Sequence, residues 1–197
     1  MPFLPAARKQ FAYYRHLGDG ALAQLADDEL HWEPAPGANS AATIVKHLAG
    51  NMHSRWTDFL ATDGEKPSRD REGEFTADAA EGAVVRMRWT RGWAILEGAL
   101  APLSEADLAR TVLIRNQAHT VQEALLRQLS HYPYHVGQLV YVAKVLRGDA
   151  WRSLSIPRGG SEAYNAQRFA GPRAGGHFTD EWVGGGERGE GDHGPLR

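Results

Sequence analysis

The 197-residue sequence contains no cysteine. Disulfide bonds, thiolate metal ligands and a cysteine nucleophile are therefore excluded, and any metal ion must be held by nitrogen and oxygen atoms. The chain also has little net charge, because its formal value is -2. This balance gives no electrostatic reason to expect a nucleic acid or an anionic membrane as a partner.

Long hydrophobic runs and several familiar enzyme motifs are also missing. No apolar run approaches the roughly 20 residues that a membrane-spanning helix needs. Residues 1–5 include two prolines and no long apolar stretch, so we expect no secretory signal peptide and a cytoplasmic protein. The sequence has no Gly-x-Ser-x-Gly turn, no Walker loop and no dinucleotide-binding glycine pattern.

What is present is the composition of an ordinary globular domain. Hydrophobic residues make up 42% of the chain and charged residues 23%. This length is enough for one domain with a substantial core. The C-terminal part is rich in glycine and charge, so we expect a domain over residues 1–168 and a disordered tail over residues 169–197.

The hydrophobic periodicity predicts four helices with short or irregular connections. They span roughly residues 6–26, 40–60, 76–100 and 120–146. Thr120 and Glu123 form a capping-box pattern at the start of the fourth helix, and residues 111–115 favour a short extended stretch. This pattern predicts an all-α fold, a four-helix bundle.

Three histidines are the most informative residues. His131 and His135 are four positions apart on the fourth helix, so their imidazoles lie on the same face. His47 lies on the second helix. If these helices face each other, three neutral nitrogens converge and leave one coordination position of a metal ion free.

A His-x-x-x-His pair alone is a weak signal, since nine histidines give roughly 0.4 such pairs by chance. Histidines bonded to neighbours at the edge of the core are the alternative. The helical faces favour the metal, because no lysine or arginine interrupts their polar stripes. The stripe on the face of His47 contains Asn51, Ser54 and Asp58. The stripe on the face of His131 and His135 contains Gln138. We take Asn51, Asp58 and Gln138 as candidate catalytic or supporting residues.

The acidic residues of the middle region receive a different interpretation. Glu72 and Glu74 precede the third predicted helix, and Asp78 and Glu81 lie at its start. Negative charge is favourable at the start of a helix, and carboxylates are mostly solvated. We therefore expect these four side chains to lie on the surface.

Several motifs resemble the DinB-like superfamily of four-helix-bundle metalloenzymes, and within it a bacterial subfamily. The resemblance covers roughly residues 8–166 and rests on the order of the elements and on four motifs. These are HLAGNM at 47–52, SRWTDFL at 54–60, TDGEK at 62–66 and HYPYHVGQ at 131–138. It implies an up-down-down-up bundle, often a homodimer, with zinc or nickel bound by His47, His131 and His135.

We therefore expect a divalent-metal-dependent enzyme, a transferase or hydrolase, that acts on a small molecule. The resemblance suggests a thiol-dependent transferase whose partner is a low-molecular-weight thiol. The alternative is a non-catalytic bundle, in which the metal or the histidines serve structure, ligand sensing or dimer assembly. Nucleic-acid binding is a distant third, because the sequence has no basic stripe.

Overall fold

The computed structural model of the chain describes residues 1–173 and 175–183, and it is mostly helical. Helices account for most of these residues, which confirms the prediction of a helical fold. The elements in chain order are α1 Phe3–Leu22, α2 Ala41–Trp56, α3 Arg71–Glu74, α4 Gly82–Leu100, β1 Thr111–Ile114, β2 Gln117–Thr120, α5 Val121–Arg147, α6 Ser161–Ala170 and α7 Asp180–Val183. Short 3-10 turns lie at Asp28–His31, Glu105–Ala109 and Gly148–Ala150.

The long helices pack in pairs around one hydrophobic core. α2 lies along α4, α1 lies along α5, and α2 also contacts α5. Trp93 of α4 and Tyr132 of α5 are completely buried at the centre, with their rings 5.9 Å apart. The contact between α2 and α5 matters most for function, because it brings together the two helices that carry the histidines.

Local capping explains where α2 and α5 begin. The Ser40 hydroxyl accepts a hydrogen bond from the Thr43 amide at 3.2 Å. The predicted capping box of α5 is confirmed, since the Glu123 amide donates to the Thr120 hydroxyl while the Glu123 carboxylate accepts from the Thr120 amide. α2 ends at Trp56, earlier than predicted, and the chain turns away after it.

α1 continues through Gly18 and Gly20, although glycine is unfavourable inside a helix. A Cβ atom at Gly18 would lie 2.2 Å from the Trp89 ring of α4, so this glycine allows the two helices to approach closely. The helix was predicted over residues 6–26, whereas α1 starts at Phe3 and ends at Leu22. α4 begins at Gly82, after a non-helical stretch that was predicted as helix.

A β-hairpin lies between α4 and α5, and its first strand is the predicted extended stretch. Arg115 and Asn116 form its turn with φ of 54° and 59°, as a tight hairpin turn requires. The Asp63 carboxylate accepts hydrogen bonds from both turn amides at 2.8 and 2.7 Å. These bonds attach the loop after α2 to the hairpin.

The chain after α6 differs from the prediction of a tail without ordered structure. The short helix α7 lies against α1, where Asp180 pairs with Lys9 and the Phe178 ring packs against Tyr13 at 5.6 Å. The rest of the predicted tail, residues 174 and 184–197, lies outside the described residues. None of the helices in the described ranges combines the length and apolarity that a bilayer span requires.

Candidate metal centre

His47, His131 and His135 meet between α2 and α5. One ring nitrogen of each lies within 4.8 Å of the other two, and Nε2 of His47 is 3.2 Å from Nε2 of His131. His47 and His135 are buried, and His131 is half-buried. The predicted meeting of three imidazoles from two distant segments is thus confirmed by their positions.

Each imidazole is oriented by a side-chain oxygen at its other nitrogen. Nδ1 of His47 bonds to the Glu74 carboxylate at 2.9 Å. Nδ1 of His131 and of His135 bond to the amide oxygens of Gln128 and Gln138, at 3.2 and 3.1 Å. Because these oxygens accept hydrogen bonds, Nδ1 carries the proton and Nε2 of each ring keeps the lone pair that can bind a metal ion.

The same surroundings keep His131 and His135 neutral. Burial first, and then the electrostatic effects of His135 and His47, together lower the pKa of His131 to about 3. Burial also lowers the pKa of His135 to about 4. A neutral imidazole is the form that binds a metal ion.

The donor set fits a divalent transition-metal ion. Two nitrogens that each lie about 2.1 Å from a tetrahedral zinc ion are about 3.4 Å apart, close to the 3.2 Å between the His47 and His131 nitrogens. Lone pairs that face one another at this distance repel unless a cation lies between them. Imidazole donors suit zinc and nickel, and the absence of cysteine leaves nitrogen as the natural donor.

Glu74 corrects the expectation of a solvated acidic face. Its side chain is 7% exposed, and Arg69 donates two hydrogen bonds to it, both at 2.8 Å. Burial raises the pKa of this carboxyl, but the bonds from His47 and Arg69 outweigh burial and leave the pKa below its usual value. The ion pair with Arg69 offsets the cost of burying the carboxylate. The sequence pattern did not reveal this pairing.

A signal for Glu74 does exist in the sequence. Gly50 lies inside α2, where glycine costs roughly 1 kcal/mol relative to alanine, so a packing reason is expected. A Cβ atom there would lie 2.2 Å from the Glu74 carboxylate. Gly50 therefore makes room for the carboxylate that orients His47.

The other candidate residues fall into two groups, those that lie at the histidines and those that do not. Gln138 holds His135, as described above. Asn51 is buried and lines the cavity at the histidines, and its amide oxygen accepts a hydrogen bond from the Tyr132 hydroxyl at 3.0 Å. The predicted helical face does not extend to Asp58: this residue is exposed, with φ of 49°, because α2 ends two residues earlier and the helical rotation no longer applies. Ser54 instead bonds to the loop at Gly64.

A cavity of about 310 Å³ opens onto the three histidines. Asn51, Phe75 and Gln128 contribute to its wall. The remaining lining residues are all arginines: Arg55, Arg69, Arg71, Arg115 and Arg127. This cavity is large enough for a small molecule or part of one.

Residues 1–160 match the model of a family described as a protein of unknown function, DUF1572. This family is part of the DinB-like superfamily, to which the sequence motifs point. No curated protein matches the chain. Because the match covers most of its length, the chain belongs to the DUF1572 family of the DinB-like superfamily.

Proposed function

We propose that this protein is a divalent-metal-dependent enzyme that acts on a small molecule. The observation that carries the proposal is the convergence of three imidazole rings, each with an oxygen hydrogen-bonded at Nδ1. Such a set of hydrogen bonds at Nδ1 is typical of metal-binding histidines rather than of solvated surface histidines. The open cavity beside the group supports a catalytic site over a closed structural one.

The side chains of such a site would have different roles. His47, His131 and His135 would hold zinc or nickel, while Glu74 and the two glutamines keep the rings in place. A divalent ion in this position supplies a Lewis acid and lowers the pKa of a bound water or thiol. Asn51, fixed through its oxygen by Tyr132, presents its amide at the cavity as a group that can orient a substrate.

The narrower form of the proposal is a thiol-dependent transferase of the up-down-down-up bundle type. The superfamily and the motifs in α2 and α5 support it, and the four long helices and their pairing are compatible with that bundle. In this form a low-molecular-weight thiol is the nucleophile and an electrophilic small molecule is the acceptor. A hydrolase would use water in the same position.

The activity can be tested on the zinc- or nickel-loaded chain. Loss of free thiol is followed while a panel of low-molecular-weight thiols is paired with electrophilic acceptors. We expect one pair to react faster than the spontaneous rate, and His135→Ala to return the rate to that background. The variant His53→Ala is the control, because His53 is an exposed histidine of α2 outside the cavity. No acceleration with thiols or with hydrolysable esters would contradict the proposal.

The coordination sphere separates an enzyme from a structural or sensing bundle. Cobalt(II) can replace zinc or nickel and reports its ligands by visible absorption. An enzyme of this kind predicts that an added small thiol changes the spectrum, because a position is open to it. A spectrum that no thiol or anion alters would support a closed, non-catalytic site.

We also propose that α5 forms the contact of a homodimer. Tyr134, Tyr141 and Val145 lie on one outward face of this helix and are 64%, 65% and 45% exposed. Exposed apolar stripes of this kind often mark protein contacts. Light scattering should give a dimer mass that Tyr141→Glu reduces to a monomer mass; a monomeric wild-type chain would contradict this contact.

A further inference from the structure

The wall of the cavity beside the histidines is unusually basic. Five arginines line it, and the lining residues include no carboxylate among those the structure describes. We propose that the small-molecule ligand of this site is an anion whose carboxylate or phosphate group the arginines bind. This inference rests on the proposed function, because it names the class of substrate for the same site.

Arg55 is the strongest indication. Its side chain is only 4% exposed, yet Nε and Nη1 have no hydrogen-bond acceptor within the described part of the chain. Its nearest ion-pair contact is Nη2 to the Glu65 carboxylate at 3.9 Å, longer than a hydrogen bond. A buried guanidinium without acceptors is costly, so a site that retains one is suited to a partner that supplies acceptors.

Glu65 does not neutralise Arg55. The same carboxylate accepts a hydrogen bond from Arg69 at 3.0 Å and lies 3.5 Å from Arg115. Three guanidiniums therefore share it, and Arg69 also binds Glu74. Burial lowers the pKa of Arg55, and the positive charge of Arg127 contributes in the same direction.

Arg127 extends the basic wall towards the histidines. It precedes His131 by one helical turn on α5, so both side chains lie on the same face. It is exposed and has no ion-pair partner within residues 1–173 and 175–183. Arg71 is also exposed, and among the residues that the structure describes its one ion pair is with the exposed Glu72.

The charges near the cavity leave an excess of positive charge. Within the described part of the chain the five arginines form ion pairs with three carboxylates, those of Glu65, Glu72 and Glu74, and Asp63 lies at the hairpin turn beside Arg115. A divalent ion on the histidines would add to the positive excess. Guanidinium groups bind carboxylates and phosphates through paired hydrogen bonds. The enclosed volume fits a small anion rather than a polymer.

The inference is tested by calorimetry on the full chain, both zinc-loaded and metal-free. The probes are malonate, inorganic phosphate and malonamide, which is the uncharged counterpart of malonate. We expect malonate or phosphate to bind with a measurable Kd, and malonamide to show no binding. The comparison of malonate with phosphate tells which anion the cavity prefers.

Arginine variants show where the anion binds. Arg127→Gln should weaken binding at least about tenfold, or about 1.4 kcal/mol. Arg55→Gln should do the same, and Arg127→Gln suffices if the buried change prevents folding. The matched control is Arg91→Gln, because Arg91 is an exposed arginine of α4 outside the cavity wall, and it should leave Kd unchanged.

The outcomes separate this inference from the proposed function. Zinc uptake with no anion binding, or with binding that neither cavity variant weakens, overturns the anionic ligand and leaves the metal centre intact. Equal binding of malonate and malonamide overturns it as well. A chain that takes up no zinc contradicts the proposed function, whereas arginine-dependent anion binding by that metal-free chain still supports the basic wall as an anion site.

Discussion

Glu74 connects the histidine group to the buried Arg69. In Glu74→Gln the side chain keeps a hydrogen-bond acceptor but loses the charge that supports His47 and Arg69. We expect zinc affinity to fall about 10- to 100-fold, the usual effect of removing a group that orients a metal-bound histidine. Competition with a chromogenic chelator measures this change.

The control for that variant is Glu72→Gln, because the Glu72 side chain is 89% exposed and lies in the same short helix, α3. It should bind zinc like the wild type. Equal zinc affinity in Glu74→Gln and Glu72→Gln would show that the carboxylate does not support the metal site.

The lowered pKa values predict how pH affects the metal-free protein. His131 and His135 titrate at about 3 and about 4 when folded, whereas an unfolded imidazole titrates near about 6.5. Between these values the unfolded chain binds more protons. The free energy of unfolding should therefore fall as pH drops below about 6.5, by up to about 1.4 kcal/mol per pH unit for each histidine.

Glu74 acts in the same direction at more acid pH, because its pKa is lowered on folding and its contribution is lost as it protonates. Urea unfolding of chelator-treated protein across this range measures the slope. The double variant His131→Asn, His135→Asn should have a flatter profile. A wild-type stability that is constant from about pH 6.5 to 4.5 would contradict the burial of neutral histidines.

His47, His131, His135 and Gln138 could be predicted from the sequence, because helical spacing shows which side chains of α2 and of α5 share a face. Gly50 signals a close approach to α2, but it does not identify Glu74, which lies 27 residues from His47 and reaches it from the short helix α3. The position of Asp58 was not predicted correctly, because the prediction assumed that α2 continues to this residue, whereas the helix ends at Trp56.

Among the helices, the contact between α1 and α4 depends on the absence of a side chain at Gly18. In Gly18→Ala the new methyl group would meet the ring of Trp89, a buried residue, at 2.2 Å. We expect the free energy of unfolding to fall by about 1–3 kcal/mol, the usual result of overpacking. Urea unfolding measures it.

Gly98→Ala provides the matched comparison, because this glycine also lies in a long helix but is exposed and has no neighbour within 4 Å of an added Cβ. It should stabilise the protein by about 0.4–1 kcal/mol. The close approach of α1 and α4 is disproved if the two alanines have the same effect on stability.

The elements whose limits were well predicted are those with local signals. The caps at Ser40 and Thr120 mark the starts of α2 and α5. α3 and β2 were not predicted, because four-residue elements depend on their partners: β2 on β1, and α3 on the buried pair of Glu74 with Arg69. Propensity within so few residues is too weak to specify them.

In the molecule as a whole, the candidate site joins segments that are far apart in sequence. His47 and His131 are 84 residues apart, and the cavity above them is completed by α3 and the hairpin turn. The sequence motifs indicated which residues would meet, but only the packing of α2 against α5 determines the distance between them. The basic wall likewise emerges from four separate segments.

Metal content is the measurement that tests this account most directly. The protein is purified without added chelator, analysed by mass spectrometry of the elements, and then titrated with zinc and nickel. We expect about one ion per chain, bound with its full affinity only when all three histidines are present, so that His47→Ala, His131→Ala and His135→Ala each lose it. A folded wild-type chain that carries no metal and takes up neither zinc nor nickel would contradict the central claim.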